Sequence, residues 1–268
     1  MADFRFELKK ILEAISSQKP LVFSITNYVT ILDVAQGIRD CGALPVMWYE
    51  QEASQQLTEI ASALYLNMGT LSKETYKTMV ASGRIAKRRG IPVVVDIVAA
   101  GATEITTSNT KKLLEDIQVD IVKGNKGEVS AICGGKAEVR GVEAISHQDN
   151  LLELMKEYSK QHDVVVVASG AVDYVTNSRK SYLVNNGSPE MGLIVGSGCV
   201  SSAIVAAFST VQKDYALASA LAMSYFGIAG ERASKISKLT GTFKCSFYDN
   251  LFSLAQKKDV DGVRIDER

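Results

Sequence analysis

Gly196-Ser197-Gly198-Cys199 places two glycines around a hydroxyl and ends on a thiol, directly before a run of small and apolar residues at 200–208. Glycines admit positive φ and let backbone approach a ligand closely. A helix starting here leaves N–H groups without intrahelical partners, and its dipole favours an anion in front of them. Cys199 falls in the first turn, where a thiol's pKa is expected to drop. Elsewhere, Asp96 ends the apolar run from Ile91, Lys123 and Asn125 precede Glu128, and Ser169 follows the valines at 164–167. Two carboxylates suit Mg²⁺, a hard cation with oxygen ligands that keeps much of its water. A lysine and a glycine turn suit phosphate oxygens and the charge of a transferring group. Each residue also has a plainer reading. Strand-end Asp and Asn cap helices, a lone lysine is a solvated surface group, and a buried cysteine is a small hydrophobe. Neither GxxxxGK[ST] nor GxGxxG occurs, so the usual P-loop and Rossmann sites lose support.

Elements that hold such residues together follow from the hydrophobic pattern. Helical spacing marks 4–17, which Pro20 ends, then 31–41 closed by Gly42, and 51–62. Ser72 caps a helix running to Arg89, with Gly90 at its end. Short apolar strands are expected at 21–25, 45–48, 63–67, 91–96, 120–123 and 164–167. A polar loop and a short helix (110–117) precede the strand at Asp120, and a helix carrying Glu128 follows Gly124-Asn125. Residues 134–141 read as a loop, Asp149 as the cap of a helix to about 160, and 173–184 as a hairpin turning at Ser178-Arg179. Helices at 198–208, 214–236 and roughly 246–257 lead to a charged tail expected to fray. Strands alternating with helices predict an α/β fold, a mainly parallel sheet covered on both faces, as one domain. Asn27, Asn67, Asp96, Lys123, Asn125, Glu128, Ser169 and the glycine turn would then share the carboxyl edge, where open α/β sheets bind ligands.

Composition narrows the function classes. The 268 residues carry 30 basic and 30 acidic side chains, with 46% hydrophobic and 22% charged residues. Zero net charge argues against a broad nucleic-acid surface. Four cysteines without CxxC spacing and two histidines argue for reduced thiols and against a multi-histidine zinc site. No apolar run reaches spanning length and no signal peptide is recognisable, so a cytoplasmic protein without membrane attachment is expected.

Nearly the whole chain resembles the hydroxyethylthiazole kinases, thiamine-salvage enzymes of ribokinase-like fold. The resemblance rests on Ile25-Thr26-Asn27-Tyr28-Val29, residues 41–47, Leu66-Asn67-Met68-Gly69-Thr70, 95–103, 122–128, Ala168-Ser169-Gly170, the Gly196–Cys199 turn and Thr240-Gly241-Thr242-Phe243 in this order. It implies ATP-dependent phosphorylation of the hydroxyl of 4-methyl-5-(2-hydroxyethyl)thiazole. By the family pattern Met47, Asn27, Gly69 and Gly196 line the thiazole site, and Lys123, Ser169 and Asn125 face ATP. Asp96 and Glu128 lie near Mg²⁺, and Cys199 stands where ribokinase relatives carry a catalytic aspartate, with Gly196 and Gly198 beside it. A homotrimer with the thiazole pocket at the subunit boundary is also implied. Departures are Lys123 for the usual arginine, Ser169 and Ser197 for threonine, and Asp96-Ile97-Val98-Ala99 for Asp-Pro-Val-Gly.

Two other activities compete. Another ribokinase-like kinase, such as one acting on hydroxymethylpyrimidine, has a similar glycine turn. A cysteine hydrolase using Cys199 needs a partnering base, and His147 and His162 show no dyad. A non-catalytic nucleotide sensor would have no need of both acidic residues.

Overall fold

Runs of β-branched and aliphatic residues form the spine of the molecule, because strands covered on both faces bury every side chain. The computed structural model describes residues 3–135, 139–140, 143–144 and 150–268, so the Asp149 cap and His147 lie outside the described residues. In chain order the elements are α1 (Phe4–Gln18), β1 (Leu21–Ile25), α2 (Ile31–Asp40), β2 (Leu44–Met47), α3 (Gln51–Ile60) and β3 (Ala63–Asn67). There follow α4 (Lys73–Arg89), β4 (Val93–Asp96), α5 (Glu104–Asp116), β5 (Ile121–Asn125), α6 (Lys126–Ile132), β6 (Val139–Arg140) and β7 (Glu143–Ala144). The rest comprises α7 (Leu151–His162), β8 (Val165–Ser169), β9 (Asp173–Thr176), β10 (Ser181–Val184), a 3₁₀ turn (Pro189–Leu193), α8 (Ser197–Ser209), α9 (Tyr215–Ile236), α10 (Thr240–Lys257) and β11 (Ile265–Glu267).

One sheet has the order β11-β10-β9-β8-β5-β4-β3-β1-β2. From β2 to β8 all pairings are parallel, while β9, β10 and β11 add antiparallel strands. The α/β expectation therefore holds. Alternation along β3 shows how the two faces are filled. Ala63 and Tyr65 join a core cluster with α1, α2, α8, α9 and α10, whereas Leu64 and Leu66 join one with α4 to α7.

Local chemistry sets the boundaries. Ser72 accepts the Thr75 N–H at 3.0 Å, and Gly90 ends α4 at φ +64°. Asp214 caps α9 by accepting from Leu217 at 3.1 Å.

Several boundaries differ from the sequence pattern. The polar stretch before Thr110 is helical, because Thr103 and Thr106 cap each other's backbone and start α5 at Glu104. Gly124 and Asn125 belong to β5, paired with Ala168 and Ser169 of β8. Helix α10 begins six residues before Ser246, and its early Phe243 is wholly buried. The charged tail is not frayed. β11 pairs with β10, and Arg264 bonds both carboxylate oxygens of Glu231 (2.6 and 3.2 Å) and the Asn185 carbonyl (2.7 Å).

Candidate active site

The parallel strands deliver their last residues to one edge, and the first turn of α8 lies across it. Gly196 has φ +87°, and a Cβ there would stand 2.6 Å from Thr30 Cγ2, so both conformation and space require glycine. Val200 N–H closes the turn on the Gly196 carbonyl at 2.9 Å. Among the described residues, neither the Gly198 nor the Cys199 N–H has a protein acceptor. Gly198 is exposed, so oriented donors at the positive end of a 13-residue helix face an open site.

Behind this turn is a buried polar cluster. Lys123 is 1% exposed rather than solvated, and its Nζ donates to the Gly198 carbonyl at 2.9 Å. Ser201 and Ser202 hydroxyls donate to the same oxygen, at 2.7 and 3.0 Å. Asp96 Oδ2 accepts from the Tyr65 hydroxyl (3.0 Å) and Asn67 Nδ2 (2.9 Å). The Cys199 sulfur accepts from Asn67 at 3.2 Å, and Asn27 Nδ2 reaches Thr30 Oγ1, Asn67 Oδ1 and that sulfur at 2.9, 3.0 and 3.6 Å. Gly69 packs on the same pair, since a Cβ there would lie 3.0 Å from Asn67 Oδ1 and 3.1 Å from Asn27 Cβ.

Burial dominates the electrostatics. It pushes the Cys199 thiol up to about 11, with the Asp96 carboxylate adding to the rise and hydrogen bonds from Thr30 and Asn67 opposing it. The expected drop at the helix start does not occur, because desolvation of a thiolate outweighs a screened dipole. Burial also raises Asp96, opposed by Lys123, and lifts Glu128 to about 7 with Asp96 as the second cause. The Tyr65 phenol is held well above its usual range by burial, then by Asp96 and Cys199.

Glu128 and Asn125 also serve the backbone. Asn125 Oδ1 accepts the Glu128 N–H (2.9 Å), and Glu128 Oε2 accepts the Asn125 N–H (2.7 Å), a reciprocal cap of α6. Glu128 Oε1 accepts the Ala99 N–H at 2.9 Å. Ala99 sits at φ +64°, a conformation natural to glycine. That is the position at which the resemblance leads one to expect glycine. Ser169 Oγ reaches the Gly124 carbonyl at 3.2 Å, next to Asn125. Met47 ends β2 beside β1 and packs against the core cluster that contains Cys199.

The edge thus gathers Asn27, Gly69, Asp96, Lys123, Gly196, Gly198 and Cys199 tightly, with Asn125, Glu128 and Ser169 one or two strands along and Met47 on the far side. Sequence reasoning passed over Tyr65, Thr30 and Ser202. Tyr65 reads as core in an apolar strand, and only its i, i+2 spacing from Asn67 places both on one face. Among the described residues no group of three or more His, Cys, Asp or Glu side chains could hold a metal. The Asp96–Glu128 pair still fits Mg²⁺, since two buried carboxyls, one of them raised by the other, suit a cation whose other ligands are water and phosphate.

Comparison with known proteins is specific. The profile of the Hydroxyethylthiazole kinase family matches residues 12–257. A hydroxyethylthiazole kinase of Methanosarcina mazei is 40% identical over 260 residues, covering 97% of this chain and all of the relative. One from Thermoanaerobacter pseudethanolicus is 40% identical over 248 residues, covering 92% and 94%. The solved hydroxyethylthiazole kinase protein of Pyrococcus horikoshii superposes with a TM-score of 0.89 at 31% identity, covering 98% and 99%. The pyridoxal kinase of Staphylococcus aureus, at 11% identity and TM-score 0.61 with 93% and 98% covered, shares the fold alone. The sheet, the glycine turn and these matches agree: the chain has the ribokinase-like fold and belongs to the hydroxyethylthiazole kinase family.

Proposed function

We propose that this protein phosphorylates the primary alcohol of 4-methyl-5-(2-hydroxyethyl)thiazole with ATP, in thiamine salvage. The observation that carries the reading is the open pair of N–H donors at Gly198 and Cys199, set over a buried cluster of Lys123, Asp96 and Cys199. The alcohol oxygen attacks the γ-phosphorus while the bond to the β–γ bridging oxygen breaks. Negative charge on the transferring oxygens is met by the two N–H groups, which need no reorganisation. Ser169 and Asn125 face the phosphates, Lys123 adds its charge from behind through the Gly198 carbonyl, and Met47, Asn27, Gly69 and Gly196 hold the thiazole. Asp96 and Glu128 would hold Mg²⁺, which would neutralise charge on the phosphates when bound. Cys199 takes the alcohol proton late and incompletely. Only its small thiolate fraction can accept that proton, since burial keeps the thiol mostly protonated near pH 7, and a loose transition state asks for little prior deprotonation.

The chain works as one domain, since a single sheet draws strands from Leu21 to Glu267. Four free cysteines support a cytoplasmic setting, and among the described residues no helix is long and apolar enough to cross a membrane. Val29, Leu32 and Val195 are each at least 67% exposed near the α8 turn, an apolar surface that supports a homotrimer. Sedimentation of a fully active monomer would remove that assignment.

An ADP-release assay across the thiazole alcohol, hydroxymethylpyrimidine and other small alcohols tests the function. Turnover is expected with the thiazole alcohol and to require Mg²⁺. Lys123→Ala is expected to raise the KM for ATP well above that for the alcohol, with Lys123→Arg tolerated. Preference for the pyrimidine would replace the proposed acceptor.

A further inference from the structure

Tyr65 is wholly buried in the middle of β3, between Leu64 and Leu66, where an aliphatic or phenylalanine side chain would satisfy packing. A buried hydroxyl costs free energy unless it is bonded, so its placement calls for a reason. The oxygen lies 3.0 Å from Asp96 Oδ2, 3.1 Å from the Cys199 carbonyl and 2.9 Å from Asn67 Nδ2. Like Asn67 Nδ2, which reaches Asp96 Oδ2 and the Cys199 sulfur, it links β3, the end of β4 and the first turn of α8, but it alone of the two reaches the α8 backbone. Its single proton serves Asp96 or the Cys199 carbonyl, while it accepts from Asn67.

Two consequences follow from the geometry. Asn67 holds Asp96 Oδ2, and the Tyr65 hydroxyl lies within bonding distance of both that oxygen and the Cys199 carbonyl, so its one proton is shared between the carboxylate and the α8 turn. The bond to the Cys199 carbonyl fixes the Cys199–Val200 peptide plane, whose N–H points the opposite way and closes the turn on Gly196. The same turn presents the open Gly198 and Cys199 donors.

We infer that Tyr65 is a positioning residue for phosphoryl transfer: its hydroxyl sets the carboxylate of Asp96 and the α8 turn in register with each other. The inference rests on the kinase reading above. Tyr65 touches neither substrate, so its loss acts on the chemical step rather than on binding.

The test compares wild type with Tyr65→Phe, which keeps the ring, and Tyr65→Leu, which matches its neighbours and removes volume as well. Wild-type turnover of the thiazole alcohol is measured first, and its absence would defeat the kinase reading without bearing on Tyr65. Given turnover, both variants are expected to lose about tenfold in kcat with each KM within twofold. Melting temperature should fall little for Phe and clearly for Leu, so that rate follows the hydroxyl and stability follows volume. A kcat within twofold of wild type in Tyr65→Phe overturns the inference. So does a kcat that tracks melting temperature across the two variants, or failure of both to fold, since Tyr65 would then be structural only.

Discussion

Cys199 shows how a residue's neighbours revise what its position suggests. A thiol in the first turn of a helix is expected to ionise easily, yet burial and Asp96 push it up to about 11. General-base help of ~10²–10⁴-fold is then available only from a small thiolate fraction at neutral pH. Cys199→Ala is expected to lower kcat by no more than about threefold at pH 7.5, with the alcohol KM within twofold. Wild-type kcat should climb between pH 7 and 9, while the alanine variant stays flat. A pH–rate series on both proteins checks this, and parallel curves would leave the thiol a packing role. Lys123 was revised in the opposite direction, from a residue that reads as a solvated charge to a fully buried donor on the Gly198 carbonyl. No sequence pattern announces that, because a lysine's burial depends on what packs across the strand end.

At the scale of elements, the best-read pieces are those whose signals are local. β1 and β3 were legible to the residue from their apolar runs, and α4 from Ser72 and Gly90. The misses have two causes, a local capping box built from residues that also suit loops and a strand whose partner lies far away in the chain. Thr103 and Thr106 look like loop residues until their mutual capping is seen, and β11 exists only because β10, some 80 residues earlier, offers an edge. Charge alone made the tail look solvated, but Arg264 is spent on Glu231 and Asn185. Arg264→Ala is expected to loosen β11 and speed amide exchange in β10 at Leu183 and in the following Asn185, whose N–H groups face β11, leaving β4 and β5 protected. Hydrogen exchange resolved by segment would show it, and unchanged exchange in β10 would mean the strand holds without the arginine. The candidate site was legible as a list of strand ends for the same reason as the fold: parallel strands must end on one edge. Its buried half, with Tyr65, Thr30 and Ser202, was not, because hydrogen bonds between strands leave no trace in one strand's pattern.

Stability of the molecule as a whole carries the cost of a further buried acid, away from the site. Asp40 at the end of α2 is 5% exposed; Oδ1 accepts from Gln36 at 2.7 Å, and Oδ2 has no partner. Burial first, and then Asp249 from α10, raise it to about 6. A folded pKa above the unfolded one means that its stabilising share is complete below about pH 4 and is lost as pH rises through about 6. Asp40→Asn is expected to gain about 1–2 kcal/mol at pH 8, allowing for solvent screening, and nothing at pH 4. Urea unfolding at the two pH values decides, and an equal effect at both would rule out the titration. The strand order has a different consequence. Ser169, Asn125, Asp96 and Asn67 close consecutive strands β8, β5, β4 and β3, and Asn27 follows β1 beyond them. Four spacings of about 4.8 Å make a straight row roughly 19 Å long. Such a row is a ruler: a single molecule joining adenosine to the thiazole alcohol through a polyphosphate chain should be measured by it. Three or four phosphates are expected to bind tightly and two weakly, whereas affinity indifferent to chain length would mean that nucleotide and alcohol do not lie along one line.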